Sequence, residues 1–387
     1  MKKIYLDNAA AMPIEPRVQK EINRGMKFYG NPSSYNDLGR MAAKELNKAR
    51  AKIARALGAH LEEIIFTASG SEANNLAIQG TMNNKQGTVI TTPIEHPSVL
   101  EPIKQLGKEG YEVRYLPIDR YGFVDPKSVQ NMLTDHCSLI SIMYANNEIG
   151  TIQPIVKIGK IIKEFNKKLE IGGTRRVLFH VDACQAAGYL NMNVNSFQAD
   201  LVTFNGSKIG GPRGVGVLYI RRGTNISPFV LGGGQEMGLR AGTENLPAIL
   251  GMAKAIELID KKEPIRLVKL RDYFINKIKE IDPEIKINGP VNKDRLPNNI
   301  NMSIFGLDSE NLLLELDKYG IYAGSGSACT ARSVEPSHVL KAIGVEKKYL
   351  SGVLRFSMGG QTTKKDLDYV LKVLPRIISD LRKRYGK

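Results

Sequence analysis

Asp182 and Lys208 stand at or just beyond the ends of two short apolar runs, residues 176–183 and 200–204. Runs of this kind read as buried strands of a parallel sheet. Ligands of open α/β sheets collect at the carboxyl ends of strands, so both side chains are expected at one rim, facing one pocket. A carboxylate and a lysine so placed suit pyridoxal 5'-phosphate: the lysine forms the Schiff base and the aspartate keeps the pyridine nitrogen protonated. The glycines after Lys208, in Gly210-Gly211-Pro212-Arg213-Gly214-Val215-Gly216, let backbone approach a flat ring. Taken singly, each residue reads as a solvated lysine or a strand-end cap. The pair, in this order, carries the inference.

Strand and helix patterns alternate around that pair. Residues 63–67 form a strand that turns through Ala68-Ser69-Gly70-Ser71-Glu72 into a helix. Such a turn presents free backbone N–H groups and a positive dipole end, which suits a phosphate, although many such turns bind nothing. Residues 88–92 lead into Ile94-Glu95-His96-Pro97-Ser98, where His96 either lies over a ring or caps the next element. Further strands cover 111–117 and 138–144, the second running into Ala145-Asn146-Asn147-Glu148-Ile149-Gly150. Residues 215–220 follow Lys208 so closely that only a hairpin connection fits, which makes one strand antiparallel. Repeated units of this type predict a doubly wound or mixed α/β sheet. A helix starting at Leu38 places Leu38, Ala42, Leu46, Ala49, Ile53 and Leu57 on one face and ends at Gly58.

The composition turns charged at residues 261–264, and a domain boundary is placed there. Beyond it lie a helix (265–281), a strand (299–305), a helix (309–319), the loop of Cys329, a strand (354–358) and a closing helix. That last helix carries Leu367, Val370, Leu371, Leu374, Ile377, Ile378 and Leu381 as one stripe. The alternation defines a second, smaller domain.

The bulk numbers restrict the function classes. A chain of 387 residues with 42% hydrophobic and 24% charged residues is an ordinary globular protein of two or three domains. Asp7 and Asn8 fall where a signal peptide needs an apolar core, and no run approaches the ~20 apolar residues of a membrane span. A cytoplasmic protein with no membrane attachment is expected. Three scattered cysteines exclude a disulfide framework or a zinc ribbon, and no metal site is expected. Cys137 and Cys184 fall in or beside apolar runs and read as packing. The net charge of +16 favours acidic partners. Its lysines are scattered and no nucleic-acid motif is present, so direct nucleic-acid binding is not expected.

Taken in order, several motifs resemble one family over nearly the whole chain. They are Tyr5-Leu6-Asp7-Asn8-Ala9-Ala10, Gly30-Asn31-Pro32-Ser33-Ser34, Glu95-His96, the run 146–150, the run 180–185 and Gly232-Gly233-Gly234-Gln235-Glu236. The series continues through Arg240-Ala241-Gly242-Thr243, Gly324-Ser325-Gly326-Ser327-Ala328-Cys329-Thr330, Glu335-Pro336-Ser337-His338 and Leu354-Arg355-Phe356-Ser357. The sequence resembles the cysteine desulfurases, pyridoxal-phosphate enzymes of the class V aminotransferase group, in particular the NifS/IscS type. The resemblance implies an aspartate aminotransferase-like fold (fold type I) with a mostly parallel, mixed seven-stranded sheet in a large domain, residues 16–260. It further implies a smaller α+β C-terminal domain, residues 261–387, joined by an N-terminal segment, residues 1–15.

Residue by residue, the resemblance assigns Lys208 to the Schiff base, Asp182 to the pyridinium and Gln185 to the ring hydroxyl. His96 matches the histidine stacked on the ring, a candidate proton shuttle. Gly70 and Ser71 match the phosphate turn, with Ser in place of the more usual Thr. Asn205 and Ser207, just before the lysine, are counted with the cofactor site. Asn147 and Arg355 match the groups that hold the substrate carboxylate, a task that suits a guanidinium fork. Thr243 matches a phosphate contact from the other subunit, implying a homodimer. Cys329 matches the sulfur-accepting nucleophile; Arg332, three residues further along the sequence, is expected to favour its thiolate by its charge. Departures are also plain. Asn205-Gly206-Ser207 replaces a Ser-x-His, removing one expected phosphate contact. Met237 replaces a frequent arginine, Asn36 a histidine, and Ala11-Met12 a Thr-Thr.

The implied reaction converts L-cysteine to L-alanine and leaves a persulfide on Cys329. The sulfur then passes to an acceptor protein, an iron–sulfur scaffold or a tRNA-thiolating enzyme. Two alternatives stand beside it: a selenocysteine lyase or other class V aminotransferase, and a low-turnover assembly scaffold suggested by the missing histidine at Ser207.

Overall fold

The structure is a computed structural model that describes residues 3–82, 87–171, 176–326 and 336–385. Cys329 and Arg332 lie outside the described residues. In chain order the elements are β1 (Ile4–Tyr5), α1 (Pro16–Gly25), α2 (Asp37–Leu57), β2 (Ile64–Thr67), α3 (Gly70–Thr81), β3 (Thr88–Thr91), α4 (Pro97–Lys108) and β4 (Glu112–Tyr115). There follow α5 (Pro126–Met132), β5 (Cys137–Met143), α6 (Ile155–Ile171), β6 (Leu178–Asp182), α7 (Val194–Phe197), β7 (Leu201–Asn205), β8 (Gly216–Ile220) and α8 (Leu246–Glu257). The chain closes with α9 (Glu263–Ile281), β9 (Lys286–Ile287), β10 (Asn299–Ser303), α10 (Ser309–Lys318), β11 (Ile321–Tyr322), α11 (His338–Ala342), β12 (Val353–Ser357) and α12 (Lys364–Tyr385).

Seven strands form one sheet in the order β2-β8-β7-β6-β5-β3-β4. The run from β4 to β7 pairs in parallel, and β8 alone is antiparallel to its neighbours β7 and β2. This is the mixed, mostly parallel sheet expected from the sequence, with the reversed strand where the short connection after Lys208 demands it. β5, β6 and β8 are buried along their whole length, which is why they read as unbroken apolar runs. The edge strand β4 instead exposes Glu112, and its Arg114 pairs with that carboxylate, a charged edge that discourages further strand pairing.

One core cluster joins α2, the sheet and α8 through residues such as Ile53, Phe66, Val202 and Ile249. A second is built from Leu267, Phe274, Ile300, Phe356 and Leu374, with the Phe274 and Phe356 rings edge-on at 5.4 Å. It covers an antiparallel sheet in the order β12-β10-β9. The N-terminal strand crosses to this part of the molecule: Ile4 pairs with Ile321 of β11, and Asp7 bridges to Ser357 at the end of β12.

Two expectations from periodicity are corrected. Leu38 is not on the buried face of α2; it is 44% exposed, as is Met41 at 52%, while in the same turn Gly39 is the buried residue, packed on the 31–34 loop. In α12, Leu371 is only partly buried and Val373 is buried in the stripe beside it. Gly58 does end α2, with φ of 66°, the left-handed cap conformation that glycine adopts without a Cβ penalty.

Candidate active site

The parallel register brings the functional strand ends level with one another. Asp182 closes β6 opposite Thr203 of β7, and β7 ends two residues later at Asn205. One tight turn, Gly206–Lys208, then carries Lys208 back over the same rim. The Nζ of Lys208 donates to the carbonyls of Ala9 (2.7 Å) and Ala10 (2.6 Å). Gln185 Nε2 donates to the Ala9 carbonyl as well, at 3.0 Å. The N-terminal segment therefore forms one wall of the site.

Asp182 is buried and its oxygens are separately engaged. Oδ1 accepts the Cys184 N–H at 2.9 Å, and Oδ2 accepts from Asn74 Nδ2 at 2.8 Å. Asn74 also donates to Ser98 Oγ (2.8 Å), which lies 2.8 Å from His96 Nδ1. The Ser98 backbone N–H donates to the same ring nitrogen at 3.1 Å. A ring nitrogen that accepts a backbone N–H is deprotonated, so the imidazole is neutral with its proton on Nε2. Burial pushes the His96 pKa down in the same direction, only partly offset by Asp182. Neither Asn74 nor Ser98 was singled out from the sequence. Each lies near the start of a helix, and no local pattern marks it.

The phosphate turn sits at the start of α3, where Ser69 Oγ caps the Glu72 N–H at 3.1 Å. A Cβ on Gly70 would lie 2.8 Å from Cys184 Sγ and 2.9 Å from Asn205 Nδ2, so only glycine fits there. Ser71 is exposed at the turn, and Ser207 Oγ donates to Asn205 Oδ1 at 3.2 Å. On the opposite side, Arg355 of β12 is about 1% exposed; its Nη2 lies 2.8 Å from Asp7 Oδ1 and its Nη1 3.2 Å from the Asn147 carbonyl. Its Nε has no partner among the described residues, which leaves donor capacity for a carboxylate.

Together these groups line one cleft of roughly 200 Å³. Its lining includes Gly70, Ser71, His96, Asn147, Asp182, Gln185, Asn205, Ser207, Lys208 and Arg355. Every predicted site residue is there except Thr243, which is exposed and absent from the lining, and Cys329, which lies outside the described residues. Two readings are corrected. Cys184 is not simple packing: it lines the cleft between Gly70 and Asn205, and burial with the nearby Asp182 charge holds its thiol well above the ordinary range. The glycines after Lys208 do not line the cleft; Gly211 packs on Gly206 and Ala255, which fixes the turn from behind.

Beneath the rim, Glu95 is fully buried, and burial raises its carboxyl to about 8. His180 of β6 is held between Ser141 Oγ (2.8 Å) and Thr203 Oγ1 (3.1 Å), and burial lowers it to about 4.

Residues 4–370 match the family Aminotransferase class-V. The cysteine desulfurase IscS of Dictyoglomus turgidum is 46% identical over 98% of this chain and 96% of its own length. The chain belongs to this family, on its cysteine desulfurase branch. A cysteine desulfurase IscS of Methanosarcina thermophila is 44% identical over 98% of the desulfurase described here and 93% of its own length. Among solved structures, a NifS-like protein superposes with a TM-score of 0.90 at 35% identity, covering 98% of this chain and 100% of the other. A solved structure of SspA in complex with cysteine gives 0.80 at 31% identity, covering 92% and 99%. No helix among the described residues is long and apolar enough to cross a membrane.

Proposed function

We propose that this enzyme binds pyridoxal 5'-phosphate, takes sulfur from L-cysteine to leave L-alanine, and holds that sulfur as a persulfide on Cys329. The observation that carries the reading is the meeting of Lys208, Asp182 and Arg355 on one cleft in a desulfurase-family chain. The cleft suits the cofactor: an amine for covalent attachment, a carboxylate for a ring nitrogen, and a helix start stripped of Cβ at Gly70 for a phosphate. When bound, the cofactor supplies an electron sink for the substrate Cα.

The chain's own residues do the rest. Arg355 and Asn147 hold the substrate carboxylate, and Asp182 is held in place by two donors, the Asn74 amide and the Cys184 N–H. Lys208 would take the Cα proton, with neutral His96 a second proton carrier on the same cleft. The Cys329 thiolate attacks the substrate sulfur; an S–S bond forms as the Cβ–S bond breaks. The electron pair of that bond stays with Cβ, which is then protonated, so no external oxidant or reductant is required. Gly324 pairs its backbone with Arg355 in both directions, so the segment leading to Cys329 departs from the rim of the cleft.

In this reading the enzyme is a cytoplasmic homodimer whose Thr243 reaches the partner's phosphate turn. Support comes from the exposure of Thr243, of Leu231 and Met237 in the same segment, and of Leu38 and Met41 in α2. The sulfur passes on to an acceptor protein of iron–sulfur assembly or tRNA thiolation. Incubation with sulfur-labelled cysteine tests the core of the proposal. Lys208→Ala should lose the visible absorbance of the bound cofactor and all alanine formation. Cys329→Ser should keep the absorbance and lose sulfide release; sulfide release at the wild-type rate from Cys329→Ser would refute the persulfide step.

A further inference from the structure

Glu72 puts a negative charge into the first turn of α3, the helix start that the proposed cofactor phosphate needs. It does not line the cleft, and the reaction as written does not use it. Its N–H is capped by Ser69 Oγ at 3.1 Å, and its own Oε2 accepts the Ala68 N–H at 3.0 Å. The Gly70 and Ser71 N–H groups have no partner among the described residues, so they stay available to an anion. The other carboxylate oxygen, Oε1, accepts from Arg240 Nε at 2.7 Å, across 168 residues of chain. The pair is largely shielded from water, with Arg240 23% and Glu72 17% exposed. Packing sets the approach of the arginine. Leu239 before it lies on the cluster of Ile65, Ala73 and Leu76, and the Ala241 N–H after it donates to the Val230 carbonyl at 3.3 Å. Four residues earlier, Glu236 anchors the same segment through a buried ion pair with Arg50 at 2.6 Å.

We propose that Arg240 is a positioning residue for cofactor binding: it neutralises Glu72, so that the turn into α3 keeps its positive field for the phosphate. The inference rests on the reading of the cleft as a pyridoxal-phosphate site. The charge balance of that cleft gives the pair its weight. Lys208 and Arg355 are the cations among its lining residues, and Arg355 stands on the opposite side. His96 is neutral, and Ser207 occupies the place where the family more often has a histidine. The phosphate side, with Gly70, Ser71, Asn205 and Ser207, therefore offers amides and hydroxyls but no full positive charge. A helix start attracts a carboxylate of its own as readily as an external anion. Without Arg240, Glu72 would draw on the same dipole and repel a phosphate at the neighbouring amides. A pair that served the fold alone would need the hydrogen bond but not the charge, and the two roles separate on that point.

The test titrates the full chain, freed of cofactor, with pyridoxal 5'-phosphate and separately with pyridoxal, which lacks the phosphate, following absorbance. Arg240→Gln should raise the Kd for pyridoxal 5'-phosphate about fivefold to tenfold and leave that for pyridoxal unchanged. Glu72→Gln keeps an acceptor for the Ala68 N–H and should bind at least as tightly as the parent. The decisive protein combines Arg240→Gln with Glu72→Gln: with neither charge present, its Kd should return to within about twofold of the parent's. Arg240→Lys keeps the charge and should also stay near the parent. An unchanged Kd in Arg240→Gln overturns the inference, as does equal weakening toward pyridoxal. A double variant as weak as Arg240→Gln does so too, since Arg240 then serves the fold or touches the phosphate itself. If Arg240→Gln alone does not fold, a double variant that binds more than about fivefold weaker than the parent has the same force. A parent that binds no pyridoxal 5'-phosphate would refute the functional reading instead. Calorimetric titration with inorganic phosphate then decides the role of Arg240 by the same pattern of loss and rescue, and absence of phosphate binding to the parent overturns it.

Discussion

Arg355 Nη2 lies 2.8 Å from Asp7 Oδ1, across 348 residues of chain, in a site where the arginine is about 1% exposed and the aspartate 22%. The guanidinium assigned to the substrate carboxylate therefore already has a carboxylate on it. Arg355 is also held by the Asn147 carbonyl, and its backbone pairs with Gly324, so its orientation does not depend on Asp7 alone. Charge competition is then the larger effect. Asp7→Asn keeps an acceptor but removes the rival charge, and the KM for L-cysteine should fall about threefold to tenfold. Loss of one partner of a largely buried pair weakens the fold. The melting temperature should therefore drop by a few degrees. A raised KM would show that orientation dominates instead.

Ser207 stands where the family more often has a histidine, and its hydroxyl is turned to Asn205 Oδ1. Ser207→His returns one donor to the phosphate side of the cleft. A hydrogen bond to a charged acceptor contributes on the order of 1.5–3 kcal/mol. Absorbance titration of apo-protein should therefore show a cofactor Kd lowered about tenfold or more in Ser207→His. An unchanged Kd would mean that Ser71 and the helix start already satisfy the phosphate.

Cys184 lines the cleft with its thiol held well above the ordinary range, first by burial and then by the Asp182 charge. Only the thiolate is an effective nucleophile. Iodoacetamide at neutral pH should leave Cys184 unmodified in mass mapping, with or without cofactor. Alkylation of Cys184 on the timescale of Cys329 would contradict the assigned electrostatics.

Much of this was legible in the sequence for a physical reason. Strands buried on both faces must be apolar throughout, so their polar ends at Asp182 and Asn205 stand out. The seven residues between Lys208 and Gly216 are too few for a crossover, and β8 had to reverse. What was not legible depends on partners far along the chain. Nothing in the pattern of α3 pairs Asn74 with Asp182, and nothing near Tyr5 pairs Asp7 with Arg355. Cys184 looked like strand packing because it follows β6 directly, yet the chain turns there and presents the thiol to the cleft. Leu38 fitted the stripe of α2 by spacing, but spacing does not report which side of the first turn is packed.

Glu95 sets a pH dependence of stability whose sign is fixed by its surroundings. Its Oε1 accepts from Thr92 Oγ1 (2.7 Å) and the Met143 N–H (2.9 Å), while Oε2 has no partner among the described residues. That is the pattern of a carboxylic acid carrying its proton, and burial, with a smaller push from Asp182, raises the group to about 8. In the unfolded chain a glutamate titrates near about 4.3. Between those values the folded protein keeps a proton that the unfolded chain has released, so stability falls as pH rises through this window. Glu95→Gln keeps the Oε1 acceptor and has no proton to lose. Its melting temperature should match the parent's at about pH 5 and exceed it by a few degrees at about pH 8.5. A difference that stays flat across the window, measured calorimetrically at matched ionic strength, would mean that Glu95 is ionised in the folded enzyme and that an unseen donor reaches Oε2.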